Sequence, residues 1–247
     1  GIETITYVLS GTVEHADSLG NNGLLGDGDI QWMTAGSGII HQEMPKGNNK
    51  GEMHGFQLWA NLPSNQKMTA PRYQDIKSND IKSLVEDDGT IIKVIAGNYR
   101  GYNGPVDGIA AEPEYLDIYI PPLKFKKFPF DTRRQGFAYI FEGEGNFHNA
   151  SKPVGVKVEK EFQGQEIEIR DLSGNRTLVV FDSGDEVAVQ AGENGVRFLL
   201  ISGTPIKEPV AWHGPIVMNT RAELQKAFQE LNSGEFVKTG AQWKFGS

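Results

Sequence analysis

Hydrophobic and polar residues alternate with a period of two through much of this 247-residue chain. Thr4, Thr6 and Val8 interleave with Ile5, Tyr7 and Leu9. That pattern predicts a strand, because successive side chains on extended backbone point to opposite faces. Ser10-Gly11 ends the run, Thr12 to Ala16 makes a second, and Asn21-Asn22-Gly23 predicts a hairpin turn. Gly26 to Asp29 turns the chain into Ile30-Gln31-Trp32-Met33, and Gly36-Ser37-Gly38 precedes Ile39 to Glu43. Phe56 to Ala60 is a further strand. Residues 61–80 contain Pro63 and Pro71 and little periodicity, so they read as a long surface excursion with a short helical turn. Strands resume at Thr90 to Ala96, and the Gly- and Pro-rich stretch Gly97 to Pro113 reads as loop and crossing between domains.

The second half repeats the style. Tyr115 to Ile120, Phe137 to Phe141, Glu166 to Ile169, Arg176 to Phe181, Glu186 to Gln190 and Val196 to Ile201 all carry strand composition. Tyr139-Ile140-Phe141-Glu142-Gly143 echoes Tyr7-Val8-Leu9-Ser10-Gly11. Strands this short and evenly spaced predict an all-β fold of sandwich or barrel type, here two related barrels over residues 1–111 and 112–247. One amphipathic helix is expected late, over about 221–232. Thr220 and Glu223 form a capping box, Leu224, Ala227, Phe228 and Leu231 recur at helical spacing, and Gly234 is the stop. Asn232 to Ser247 reads as an extended surface tail.

Composition narrows the chemistry. The chain has no cysteine, so disulfides and thiolate ligands are excluded and any metal site must use His, Asp or Glu. The absence suits a reducing compartment, and a cytoplasmic location, or a nuclear one in a eukaryote, is expected. The net charge of −8 argues against a broad grip on nucleic acid. The densest basic cluster, Lys124, Lys126 and Lys127 with Arg133 and Arg134, reads as the exposed face of two strands. No stretch approaches the roughly 20 apolar residues that span a bilayer. The opening Gly1 to Gly11 enters directly on a strand pattern with no basic leader, so native residues are expected upstream.

Among ligand-type residues His41 and Glu43 stand out. Positions i and i+2 of a strand point to one side, so both can enter one barrel, and imidazole with carboxylate suits Fe(II), Mn(II) or Zn(II). Spacing alone leaves open two ligands, a buried His–Glu hydrogen bond, or a surface pair. Glu3 reads as a further ligand, a support for one, or a structural carboxylate. His15 reads as an exposed loop histidine, His54 as lining a cavity or capping its strand, and His213 as part of a structural turn. His148 has no acidic or His partner two residues away, so the second barrel is expected to be metal-free. Trp32, Met33, Phe56 and Trp59 read as core or as the wall of a site for a flat apolar ligand. No phosphate-binding loop, serine nucleophile elbow or zinc-protease helix motif is present.

Gly1 to Tyr7, the long block Gly28 to Pro45, the segment His54 to Trp59, and His213 to Thr220 resemble the pirin family over nearly the whole chain. The resemblance implies a bicupin, two cupin barrels in one chain, with a mononuclear and usually ferrous centre in the first. Family members hold that ion with three histidines and a glutamate. His41 and Glu43 match one pair, with Glu43 also the candidate for accepting a substrate proton. The other pair, a His-x-His, falls just upstream of Gly1 and is expected there. Glu3 matches a position near the metal that is not itself a ligand. The resemblance further implies a quercetin 2,3-dioxygenase, acting on a flavonol and dioxygen with release of carbon monoxide. Its alternatives are a metal-dependent regulator that binds a transcription factor or metabolic enzyme without turnover, and a bicupin scaffold for another ligand. A monomer is expected, since two fused barrels cover one another.

Overall fold

A computed structural model describes residues 1–148, 154–156, 173–181 and 184–238. By contact the chain forms two compact units, Gly1–Asp80 with Ile206–Ser247, and Ile81–Pro205.

The first unit begins with β1 (Ile2–Ser10), β2 (Thr12–Asp17), β3 (Asn22–Leu25), β4 (Ile30–Thr34), β5 (His41–Lys46), β6 (His54–Asn61) and β7 (Arg72–Ile76). They make a four-stranded antiparallel sheet, order β6-β1-β4-β7, and a three-stranded one, order β3-β2-β5. The two sheets face each other. Val8, Val13 and Leu25 form an apolar cluster between them, and Thr6 reaches Glu43 across the gap. Thr4, Thr6 and Val8 are therefore the inward face of β1, and Val13, His15 and Asp17 that of β2.

Two expectations change here. The β2–β3 turn lies at residues 18–21, while Asn22 and Gly23 are already in β3. Asp17 draws the turn forward. Its carboxylate accepts from the Leu19 amide at 2.7 Å and the Asn21 amide at 3.0 Å, and Gly20 takes the left-handed φ of 88°. Residues 61–80 are also more than an excursion. The short helical turn is present at Ser64–Gln66, but β7 follows and pairs with β4 from Ile30↔Ile76 to Thr34↔Arg72. Its polar sequence, Arg72-Tyr73-Gln74-Asp75-Ile76, hid it because its inward positions are polar.

The second unit holds β8 (Ser83–Val85), β9 (Ile91–Ala96), β10 (Asn98–Tyr99), β11 (Tyr102–Asn103), β12 (Glu114–Ile120), β13 (Phe125–Pro129), β14 (Gln135–His148), β15 (Val154–Val156), β16 (Ser173–Gly174), β17 (Thr177–Val180) and β18 (Glu186–Gly203). The strands expected at 186–190 and 196–201 are one 18-residue strand, β18. The strand bends where the two expected ones would have been separate, with Gly195 at φ 78°. The register with β14 shifts beside it, around Gly143. β18 pairs with β13 in its first half, with β12 in its second, and with β14 through both. The strand expected over Glu166 to Ile169 lies outside the described residues.

The core of this barrel is apolar. Phe198 packs edge-on to Phe128 at 6.1 Å and to Phe147 at 5.2 Å between ring centres, within a cluster that includes Ile92, Leu116, Ile118 and Val189. Lys126 of the basic cluster is bound to Glu86 and Asp88, and Lys127 to Glu186. They are strand residues neutralised by neighbours.

The chain then returns to the first unit with the hairpin β19 (Ala211–His213) and β20 (Ile216–Met218) and with α1 (Arg221–Ser233). The expected capping box is present, Glu223 N donating to Thr220 Oγ1 at 3.2 Å while Glu223 accepts from the Thr220 amide at 2.8 Å. Gly234 closes the helix at φ 79°. Ala227 packs with Ile216 and Met218. By contact the compact units thus divide at 80/81 and 205/206. β9 hydrogen-bonds to β12, which draws residues 81–111 into the second unit, and α1 packs on β19–β20, which keeps the helix with the first. The stretch 97–113 includes the β10–β11 hairpin. Among the described residues, no helix is long and apolar enough to cross a membrane.

Candidate metal centre

The inward residues of the first barrel lie in levels set by strand register. On the lowest level are Val8, Val13 and Leu25. One level up, Asp75, Gln31, Thr6 and Gln57 form a row across β7, β4, β1 and β6. Facing it on the other sheet are His15 of β2 and its partner Glu43 of β5. One level higher stand Tyr73, Met33, Thr4 and Trp59 on the first sheet, and Asp17 with His41 on the second. The alternation on β5 agrees, since His41 and Glu43 are half-buried while Gln42 and Met44 are exposed. His41 and Glu43 thus share one face.

Glu43 is held from both sides. Thr6 Oγ1 donates to Oε1 at 2.8 Å and Gln57 Nε2 donates to Oε2 at 3.1 Å. Each carboxylate oxygen keeps further lone-pair capacity. His41 is different. Its Nδ1 is buried and, among the described residues, has no hydrogen-bond partner. A buried imidazole nitrogen left without a partner is costly, and a metal ion is one partner that removes the cost. His41 and Glu43 therefore fit as two ligands of a divalent ion. Among the described residues, no group of three or more His, Asp or Glu is positioned to hold a metal, so the pair alone does not complete a site.

The remaining candidates are placed by strand parity. Asp17 shares the level of His41 but is committed to the β2–β3 turn. Burial pushes its carboxyl up, yet hydrogen bonds from Asn21, Tyr73 and Leu19 outweigh that and hold it below the usual range. Burial first, and the bond to Asp17 next, raise the Tyr73 hydroxyl above its ordinary value. Glu3 is 2% exposed but lies on the opposite face of β1 from Thr6, where it accepts from Thr34 Oγ1 at 2.7 Å. His54 opens β6 with its ring 5.6 Å from Phe56, also off the inward parity. His213 is exposed on β19 and packs edge-on to Phe228 of α1 at 5.4 Å. His148 ends β14, and its side chain lies outside the described residues.

His15 overturns its expectation. It is 4% exposed, at an inward position of β2, with Nε2 2.9 Å from Gln31 Nε2. Gln31 in turn donates to Asp75 Oδ1 at 2.9 Å, and Tyr73 stacks on the imidazole at 6.2 Å. Its polar neighbours Glu14 and Asp17 suggested a loop, but Glu14 faces out and Asp17 makes the turn. Gly23, its partner on β3, leaves room for the ring, since a Cβ there would sit 2.4 Å from His15 Nε2. Trp32 and Met33 are core, each 1% exposed, whereas Trp59 is 45% exposed.

Sequence reasoning passed over Thr6, Gln31 and Gln57. The available signal was polar residues at inward positions of otherwise apolar strands, which marks a level that is not ordinary core.

Two family models match the chain, Pirin over residues 1–60 and the Pirin C-terminal cupin domain over residues 115–237. A pirin-like protein of Caulobacter vibrioides is 39% identical over 237 residues, covering 96% of this chain and 78% of its own. A Thermoplasma acidophilum protein named "Putative quercetin 2,3-dioxygenase Ta0133" is 35% identical over 255 residues, covering 96% of this chain and 90% of its own. The crystal structure of a quercetin 2,3-dioxygenase from Acinetobacter baumannii superposes with a TM-score of 0.80 at 29% identity, over 98% of this chain and 77% of that one. With a four-stranded and a three-stranded sheet facing across a polar level in one unit, and an apolar β-barrel in the other, this chain belongs to the pirin family and has its bicupin fold.

Proposed function

We propose that the first barrel holds a single divalent ion, Fe(II) foremost, and opens the ring of a flavonol with dioxygen. His41 and Glu43 supply two ligands, and among the described residues no third is placed to join them. The observation that carries the reading is the buried, unpartnered Nδ1 of His41 on the same inward face as Glu43. The names of the relatives at 35% and 29% identity support the substrate class.

The bound ion would act as a Lewis acid that binds the substrate hydroxyl and favours its ionised form. Glu43 accepts the hydroxyl proton on a carboxylate oxygen whose orientation Thr6 and Gln57 maintain. The apolar level of Val8, Val13 and Leu25 closes one end of the barrel to water. The balance is one flavonol and one dioxygen consumed, with one ring-opened ester and one carbon monoxide released.

The test is elemental analysis of the natural full-length protein after anaerobic loading with Fe(II), followed by oxygen uptake with quercetin. About one iron per chain and oxygen uptake matched by carbon monoxide release are expected, with both lowered in Glu43→Gln. A chain that takes up no metal, or a Glu43→Gln variant with undiminished turnover, would overturn the assignment.

A further inference from the structure

Two indoles stand together in the first unit. Trp59, on β6, is 45% exposed, and Trp212, on β19, is 67% exposed. Their ring centres are 6.3 Å apart with planes at 69°. Trp212 is anchored at its edge, where Nε1 donates to Gly214 O at 2.7 Å, so its polar atom is satisfied and its faces remain for contact.

Trp59 follows Gln57 by two residues on β6, so the two side chains share the inward face. Gln57 is bonded to Glu43. The next level up from that bond, set by Thr4↔Trp59 on one sheet and Asp17↔His41 on the other, carries Trp59 and His41. The indole pair therefore continues directly from the carboxylate–amide pair along one wall. An aromatic surface bordered on one side by an acceptor and a donor matches a flat, uncharged ring system that carries hydroxyl groups.

We infer that Trp59 and Trp212, packed edge to face, form an aromatic corner against which the ring system of such a ligand lies, with Glu43 and Gln57 meeting its hydroxyl groups. The corner rests on the flavonol reading above. Trp212 lies more than 150 residues from Trp59 in sequence, and the β19–β20 hairpin brings it there.

The test is anaerobic calorimetric titration of quercetin into the iron-loaded full-length protein, where oxygen is absent and turnover cannot proceed. Trp212→Ala, at an exposed site, is expected to weaken binding ~3- to 10-fold, and Trp59→Ala at least as much. Trp59→Phe should stay within about threefold of the wild type, because it keeps a ring face. Iron content and melting temperature check that each variant is folded and loaded. Wild-type affinity in both alanine variants would overturn the aromatic corner and leave the flavonol reading standing. Loaded wild-type protein that binds no quercetin would overturn the flavonol reading and the corner together.

Discussion

Thr6 on β1 donates its hydroxyl to Oε1 of Glu43 on β5 across 2.8 Å, joining the two sheets of the first barrel at the level of the candidate metal ligand. This bond does two things. It satisfies a polar group that strand parity forces into the interior, and it orients one carboxylate oxygen before any ion arrives.

Thr6→Val keeps the shape and removes the bond. Its effect on thermal stability should stay within about 1 kcal/mol, because one hydrogen bond nets little. The effect on the site should be larger, since a carboxylate free to rotate binds metal about tenfold less tightly. Competition against a chelator measures the affinity. Unchanged iron affinity in Thr6→Val would show that Glu43 does not rely on this bond as a ligand.

Asp29 ties the β3–β4 turn to the segment after β7. Its carboxylate accepts from the Gly26 amide at 2.9 Å, the Ser78 amide at 2.9 Å and Lys77 Nζ at 2.7 Å. Burial pushes this carboxyl up, but those three donors outweigh it and hold the folded value below the ordinary one. The unfolded value is near 4. A depressed folded value means that Asp29 contributes its full stability above the unfolded value and loses it as pH falls through the folded one. Lys77 is 57% exposed, so most of the gain comes from the two amides. Asp29→Asn should cost ~1–3 kcal/mol at neutral pH, and the difference should shrink as pH falls below about 4. Melting curves of both proteins from pH 7 to about pH 2.5 read the convergence directly.

Lys67 is 1% exposed, with Nζ donating to Gly1 O at 2.9 Å, Asn61 Oδ1 at 2.7 Å and Val217 O at 3.5 Å. Burial lowers its pKa, so the charge is held at a cost that these oxygens offset. It joins the start of β1, the end of β6 and β20. Lys67→Met fills a similar volume but leaves the oxygens without a donor. A loss of ~2–4 kcal/mol in a denaturant titration is expected.

In the second barrel Phe198 is fully buried between Phe128 and Phe147. Phe198→Ala should cost ~3–5 kcal/mol through lost burial and the cavity left behind. Iron bound per folded chain should not change, because among the described residues no candidate ligand lies in that core. A variant that folds but has lost its iron would place the second barrel within the metal chemistry.

His41 and Glu43 were legible because their relation is local. Two residues apart on a strand means the same side, and no distant residue is needed to say so. The capping box of α1 was legible for the same reason. His15 was misread because burial is a property of the whole sheet, and a histidine between acidic residues looks the same on an exposed loop as on an inward-facing strand. β7 was missed because Arg72-Tyr73-Gln74-Asp75-Ile76 shows no alternating apolar face, and its inward Asp75 completes a polar row begun on other strands.

The sequence by itself determined strand periodicity, the helix with its caps, the two-barrel character and the His41–Glu43 pair. Each rests on backbone geometry over a few residues or on a long specific block. Tertiary structure alone decided which residues meet Glu43, that Trp212 reaches Trp59, and where the compact units divide. Those depend on the register of strands far apart in the chain, and shifting a register by one residue would send every inward side chain to the opposite face.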